Sequence, residues 1–224
     1  MRLTIVGATG GIGGQILEQA VAAGHDVTVV VRNPGNLPTS RNGVRVVTAD
    51  LAISEPAVLE PALAGADAVL SGLGPRPMAA AGVAEHGTRV IVQAMQATGV
   101  RRILVVSAAP ISTVASPGRP NPPRHDPGEG FFMRHLLTPL AKTVMSERYD
   151  DLALMEDVLR ASDLDWTIFR PPRLTNQPVT GHYRTAVGQN LRGGFLISRA
   201  DVAHGMLAAV GQRETIKKEI GIAY

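Results

Sequence analysis

The chain has 224 residues, 45% of them hydrophobic, with a mean hydropathy of +0.10, which suits one α/β domain with a full core and is short for two large ones. Cysteine is absent, which excludes disulfides and thiolate metal sites and points to a reducing, cytoplasmic setting. The net charge is +3, and its basic residues are dispersed, which argues against nucleic acid as a partner. No apolar run reaches the roughly 18–20 residues that span a bilayer. The opening residues, MRLTIVGATGG, read as a strand feeding a glycine turn and not as a signal peptide.

In chain order, Leu3–Val6 is a strand. Ile12, Ile16 and Ala20 recur at a four-residue spacing, which predicts a helix over Gly11–Ala23 stopped by Gly24. Val27–Val31 and Val44–Thr48 are strands two and three. Ser54 is placed to cap a helix through about Leu63, with Pro56 in its first turn. Ala68–Leu70 is strand four, a helix follows from Val83 to Ala97 before Gly99, and Ile103–Val106 is strand five. The alternation implies a mostly parallel sheet covered on both faces. It then breaks. Pro117–Gly130 holds five prolines and three glycines in 14 residues, a loop whose ordering could depend on ligand. A helical region is expected from Phe131 through Leu159, interrupted near Pro139. Trp166–Arg170 is strand six, ended by Pro171 and Pro172. Residues 173–197 read as extended and turn structure. Ser198 caps a helix through about Val210, and Glu219–Ala223 is the last strand. The expectation is a single domain over residues 1–224, with the loop and helical insertion at about 110–148 lying over the substrate side.

Gly7-Ala8-Thr9-Gly10-Gly11-Ile12-Gly13 joins strand one to the first helix. Gly7 permits the tight turn, Gly10 lets the backbone approach a diphosphate, and Gly13 lets the helix pack close to the strand. The N–H groups of the helix start then face the phosphates. A strand, this turn and an amphipathic helix in succession predict a Rossmann-type, doubly wound dinucleotide site. An NAD-preferring site carries an acid at the end of strand two; here Val31 is followed by Arg32 and Asn33, so Arg32 is the candidate partner of a 2′-phosphate and NADPH the expected cofactor. Asp50 has two readings, beside the adenine with Leu51 or capping the next turn. Gly72-Leu73-Gly74 lets the chain pass close to the cofactor ribose, and Arg76 beyond it is a candidate phosphate ligand.

These segments together resemble one family. GATGGIG at 7–13, HDVTVVVRN at 25–33, SGLGPR at 71–76, VLRASDLDW at 158–166, PPRLTNQPVTGHY at 171–183 and ISRADVAHGML at 197–207 resemble the atypical short-chain dehydrogenase/reductases of the NmrA-like type. Within them the chain is similar to the biliverdin IXβ reductase/flavin reductase family. That resemblance implies a reductase using NADPH, acting on flavins and in some members on linear tetrapyrroles or quinones. Three departures fall on the implied substrate side. The family's Thr-Ser after strand five aligns with Ser107-Ala108, its His after Pro-Pro is Arg173, and the segment from Pro110 to about Ser146 is longer.

Tyrosine-dependent dehydrogenases need a Lys four residues after the Tyr to lower its pKa. Only Tyr149, Tyr183 and Tyr224 exist, and Ala153 and Val187 stand four beyond the first two. Flavin reduction needs less, since solvent supplies the proton and the donor carbon need only lie roughly 3–3.5 Å from the acceptor atom. Ser107 is the candidate catalytic and cofactor-side hydroxyl. Pro171 and Pro172 are expected beside the nicotinamide, and Ala108, Arg173, His182 and Tyr183 in the acceptor wall, Arg173 facing an acidic group. His86, His125, His135 and His204 show no metal-ligand spacing, Met155 reads as core, and Ser198 with Asp201 as a helix cap. Two other functions fit the same motifs: a reductase or isomerase for one metabolite, and a non-enzymatic NADP-binding redox sensor. The expected partner is a small flavin-like acceptor, with no membrane and either a monomer or a homodimer.

Overall fold

The computed structural model describes residues 1–37, 43–74, 82–128 and 146–224. Arg76, Pro139 and the helical stretch Phe131–Val144 lie outside the described residues. The strands form in short apolar runs rich in β-branched residues: β1 (Arg2–Val6), β2 (Asp26–Val31), β3 (Val44–Thr48), β4 (Ala68–Ser71), β5 (Arg102–Val106) and β6 (Asp165–Arg170). Three short strands follow, β7 (Arg173–Thr175), β8 (Arg184–Val187) and β9 (Leu196–Ser198), and then β10 (Lys218–Ala223). Among the described residues they make an eight-stranded sheet of order β3-β2-β1-β4-β5-β6-β10-β8, and a second pair, β7-β9. All pairings in the large sheet are parallel except β10 with the edge strand β8.

The chain winds outward from β1 to β3, then crosses back so that β4 lies on the other side of β1. Val6 thus pairs with Val30 on one side and Ser71 on the other. This reversal opens a crevice at the carboxyl ends of β1 and β4, where such sheets bind ligands.

Side chains alternate between two cores. Leu3, Ile5, Val29, Leu70 and Leu104 pack against α1 (Gly11–Ala22) through Ile12, Ile16 and Ala20. The same layer receives α5 (Arg199–Ala209) through Val202, Ala203 and Met206. On the other face Val6, Val69, Ile103 and Val105 meet Ile91 and Met95 of α3 (Val83–Thr98) and Met155 and Leu159 of α4 (Ser146–Ala161). Each buried aliphatic side chain contributes about 1.5–3 kcal/mol, so both layers are needed. Met155 is core, as its pattern predicts.

One expected helix is not there. Ser54 does not cap a helix to Leu63; a single 3-10 turn at Pro56–Val58 precedes the four-residue α2 (Glu60–Leu63). Pro56 and Pro61 both lack the N–H that a continuous helix would use, and the Ser54 N–H instead donates to Asp50 O at 2.8 Å. The helix α5 is held at both ends. Ser198 Oγ accepts from Asp201 N–H at 2.9 Å, the cap the sequence predicts. At the far end buried Arg102 donates to Ala209 O, Val210 O, Asp165 O and the Thr167 and Thr215 hydroxyls. Burial lowers the Arg102 pKa to about 10, despite the nearby Asp165 charge, and it stays charged at neutral pH. Among the described residues no helix is long and apolar enough to cross a membrane.

Candidate cofactor site and active site

The glycine turn is built from backbone contact. Gly7 has φ +76°, a left-handed conformation in which a side chain is strained. A Cβ on Gly13 would stand 2.1 Å from Gly7 O, and one on Gly72 would stand 2.8 Å from Gly13 Cα. Gly7, Gly13 and Gly72 therefore interlock, drawing the start of α1 onto the ends of β1 and β4. The Gly72 N–H donates to Val6 O at 2.9 Å and holds the second chain in place.

Gly10 differs. A Cβ there would meet only Gly7 O at 3.2 Å and Gly72 O at 3.8 Å, and Gly74 would meet nothing within 4 Å. The Gly10 N–H itself donates to Gly7 O at 2.8 Å and closes the turn. The first bond of the α1 ladder runs from Gly14 N–H to Gly10 O, 2.8 Å, so the N–H groups at the helix start have no helical carbonyl to meet. No side chain caps this terminus and no acid stands in its first turn. Thr9 and Ile12 sit in the same turn, Ile12 buried and packing into the α1 core. The cradle fits a diphosphate: free donors, positive helix end, no competing carboxylate.

Arg32 follows β2 directly and is exposed, with 66% of its side chain accessible. Its Nη1 stands 3.9 Å from Asp50 Oδ2. Asp50 Oδ1 also accepts from Ala52 N–H at 3.1 Å, so the turn-capping reading of Asp50 is realised, alongside its closeness to Arg32. Leu51 is buried, and it and Leu73 both lie against Gly87 of α3.

The acceptor side lies where β5 and β6 end. Their extensions stay paired beyond the sheet: Ser107 N–H donates to Phe169 O at 2.8 Å and Ala109 N–H to Pro171 O at 2.9 Å. Ser107, Ala108, Pro171 and Pro172 are thereby brought together at the carboxyl ends of adjacent strands. Ser107 and Pro171 are buried. Arg173 is exposed on β7, paired in register with Leu196. Tyr183 stands at the carboxyl-end side of the sheet but towards its edge, next to Arg184, which pairs with Ala223 at the end of β10. His182 is exposed, and Tyr183 packs on α5, its hydroxyl 2.7 Å from His204 Nδ1.

Beneath Ser107 lies a charged cluster that sequence reasoning missed. Glu156 of α4 is wholly buried and accepts from Arg170 at the end of β6, Nε to Oε1 at 3.0 Å and Nη2 to Oε2 at 2.6 Å. Arg160, one turn on, donates to Glu156 Oε2 at 2.5 Å and to Glu219 Oε1 at 3.0 Å. Burial pushes the Glu156 carboxyl up, but Arg170, Arg160 and the nearby Ser107 hydroxyl outweigh it and hold the group below the ordinary carboxylate range. The buried Ser107 Oγ has no hydrogen-bond partner among the described residues. Glu156 is thus a fixed charge and not an acid. The available sequence signal was an arginine closing an apolar strand, DWTIFR, above a helical Glu with Arg160 four residues on.

The Pro/Gly-rich segment is tied to this cluster. Asp157 accepts from Ser116 Oγ at 2.9 Å and Gly118 N–H at 2.8 Å. Asp126 Oδ1 accepts from the Gly128 and Asn190 N–H groups, both at 2.8 Å. Among the described residues no group of His, Asp and Glu could hold a metal.

A sequence profile of the NAD(P)H-binding family matches residues 7–213. A UPF0659 protein of Schizosaccharomyces pombe is 29% identical over 122 residues, covering 54% of this chain and 46% of that protein, so the chain spans less than half of that relative's length. Among solved structures, a wide-type short-chain dehydrogenase/reductase from Veillonella parvula in complex with NADP superposes with a TM-score of 0.77 at 20% identity, covering 100% of this chain and 94% of that one. ChuY, an anaerobillin reductase from Escherichia coli O157:H7, gives a TM-score of 0.76 at 22% identity, covering 100% and 97%. At such identities the superpositions speak for the fold. The profile match, resting on the turn at Gly7–Gly13 and reaching across β6 and α5, places the chain in the NAD(P)H-binding family, with the fold of the atypical short-chain dehydrogenase/reductases.

Proposed function

We propose that this protein is an NADPH-dependent oxidoreductase that delivers a hydride to a flavin or a similar conjugated acceptor of the biliverdin or quinone type. The observation that carries the acceptor class is the state of the tyrosines. Tyr149 is buried and its pKa is raised by burial. Tyr183 is raised by burial and by the Asp201 charge, and its hydroxyl is held by His204. Tyr224 donates to Asp201 Oδ2 at 2.6 Å. Tyr149 and Tyr183 are thus shifted away from passing a proton to a simple ketone, and the Tyr224 hydroxyl is taken up by Asp201. A conjugated acceptor accepts the hydride into its ring system and takes its proton from water.

The bound cofactor supplies the hydride from the nicotinamide ring. The protein's own contribution is placement. The helix start at Gly10 and Gly11 holds the diphosphate, and Arg32 receives the 2′-phosphate. Ser107, Pro171 and Pro172 form the floor beside the ring, and the ion pair of Glu156 with Arg170 keeps that floor rigid. The relatives fit this reading, since the Veillonella protein is in complex with NADP and ChuY is an anaerobillin reductase. The test is an acceptor panel of FMN, riboflavin, biliverdin, a quinone and simple ketones, run with NADPH and NADH in parallel. Turnover of the conjugated acceptors with preference for NADPH is expected. Turnover of ketones alone would refute the acceptor class, and tight cofactor binding without any turnover would favour a redox sensor.

A further inference from the structure

We propose that Arg199 is a further cofactor-binding residue, gripping the diphosphate of the dinucleotide from the side opposite the strand ends. The proposal rests on the cofactor site described above. Arg199 opens α5, yet its side chain crosses to α1: a Cβ on Gly11 would lie 2.6 Å from Arg199 Cδ and 2.7 Å from Nε. Gly11 is therefore bare of a side chain because the arginine occupies that space. The guanidinium is aimed by the segment after β7. Its Nη1 donates to Asn176 Oδ1 at 2.6 Å and to Thr175 O at 3.3 Å. Nε and Nη2 donate to nothing among the described residues, and the same holds for ion pairs to Arg199. Three of the five N–H donors are thus open.

The electrostatics of this position call for an anion. A cation at a helix N-terminus opposes the helix dipole. Arg199 stands at two such termini, that of α1 and that of its own helix, with no carboxylate beside it. The first turn of α1 has no acid. The acid in the first turn of α5, Asp201, gives its oxygens to Thr180, Gly181, Ser198 and Tyr224. Gly11, Gln15, Asn176, Gln177 and Arg199 line a groove of about 310 Å³ here, large enough for phosphate oxygens. Free helix N–H groups, an arginine with three open donors and three amide side chains converge on it. A diphosphate crossing Gly10 and Gly11 supplies the missing negative charge.

Binding fragments separate this role from that of Arg32. Calorimetry on Arg199→Ala should show NADPH, NADH and ADP-ribose each weakened at least tenfold, by the same factor. Adenosine 2′-monophosphate, which lacks the diphosphate, should bind within about twofold of the parent. Arg199→Met keeps the aliphatic stem over Gly11 and should reproduce the pattern should the alanine variant fold poorly. Unchanged NADPH and NADH affinity, or a loss confined to NADPH, would overturn the assignment. A parent protein that binds neither nucleotide would instead overturn the cofactor reading itself.

Discussion

The two halves of the crevice are made of different material. On the β1–β4 side the working parts are backbone: Gly7, Gly13 and Gly72 pack main chain on main chain, and the helix start offers N–H groups. On the β5–β6 side they are side chains, with Glu156, Arg170, Arg160 and Glu219 joined beneath Ser107 and Asp157 reaching out to the 116–118 turn. A backbone cradle binds what every dinucleotide shares. A side-chain floor is free to vary with the acceptor. On the proposed function, hydride donor and acceptor are held by parts that can be broken separately, and each substitution below tests that separation.

The largest effect is expected at Glu156. Removing one member of a buried ion pair leaves the other charge uncompensated, which costs about 3–5 kcal/mol. Glu156→Ala should lose stability on that scale in urea unfolding, while Glu156→Leu with Arg170→Leu should recover much of it, because no unpaired charge remains. The Glu156 carboxyl lies below its unfolded value of about 4.3. Its stabilisation is thus full above that pH and is lost as pH falls through the depressed folded value. Glu156→Gln should accordingly flatten the acid limb of the stability curve; an unchanged limb would show that the pair contributes nothing in acid.

Gly13→Ala attacks the other half. Its Cβ would meet Gly7 O at 2.1 Å and Gly7 C at 2.7 Å, both backbone, so the turn itself must open. Overpacking of this kind costs about 1–3 kcal/mol. Cofactor affinity should fall sharply. Trp166, the chain's one tryptophan, is buried in β6 and reports on the other half. Its emission maximum should not move; a red shift would mean that the halves are mechanically coupled.

The same division decides what the sequence made legible. Backbone parts announce themselves locally. Gly7–Gly13 follows a strand and opens a helix, and Arg32 closes β2, so both are read within a few residues. Strands one to six and the last are equally plain, because short apolar, β-branched runs between turns are local signals, whereas β8 lies in the 173–197 stretch that reads only as extended and turn structure. Side-chain parts are assembled from afar. Arg170 meets Glu156 across a strand and a helix, Arg199 meets Gly11 from near the other end of the chain, and no spacing rule links them. The helix expected from Ser54 to Leu63 is broken because neither Pro56 nor Pro61 supplies an N–H to carry it through.

Arg32→Ala tests the cofactor half without disturbing its fold. The side chain is exposed and its contact with Asp50 is a surface pair at 3.9 Å, of little worth to stability. A hydrogen-bonded charge pair with a 2′-phosphate is worth about 1.5–3 kcal/mol, or roughly ten- to hundredfold in affinity. NADPH binding should weaken by that factor and NADH binding by less than about twofold. Equal losses for both would remove Arg32 from the 2′-phosphate site.

The smallest effect is expected at Asp157, and it bears most directly on the acceptor. Its carboxylate fixes the 116–118 turn to α4 through Ser116 and Gly118, and a Cβ on Gly118 would strike its Oδ1 at 2.7 Å. The proline-rich segment beyond is therefore held at its root by Asp157 and by Arg119, which donates to Ile111 O at 2.6 Å, and further along by Asp126 on Asn190. Asp157→Ala removes the first tie and should cost only about 0.5–1.5 kcal/mol of stability, the net worth of a typical hydrogen bond at a partly exposed site. If the segment shapes the acceptor pocket, KM for the acceptor should change while the NADPH dissociation constant stays fixed. The reverse pattern, cofactor affinity lost and acceptor KM kept, would assign the segment to the dinucleotide and leave the acceptor with only the strand ends at Ser107 and Pro171.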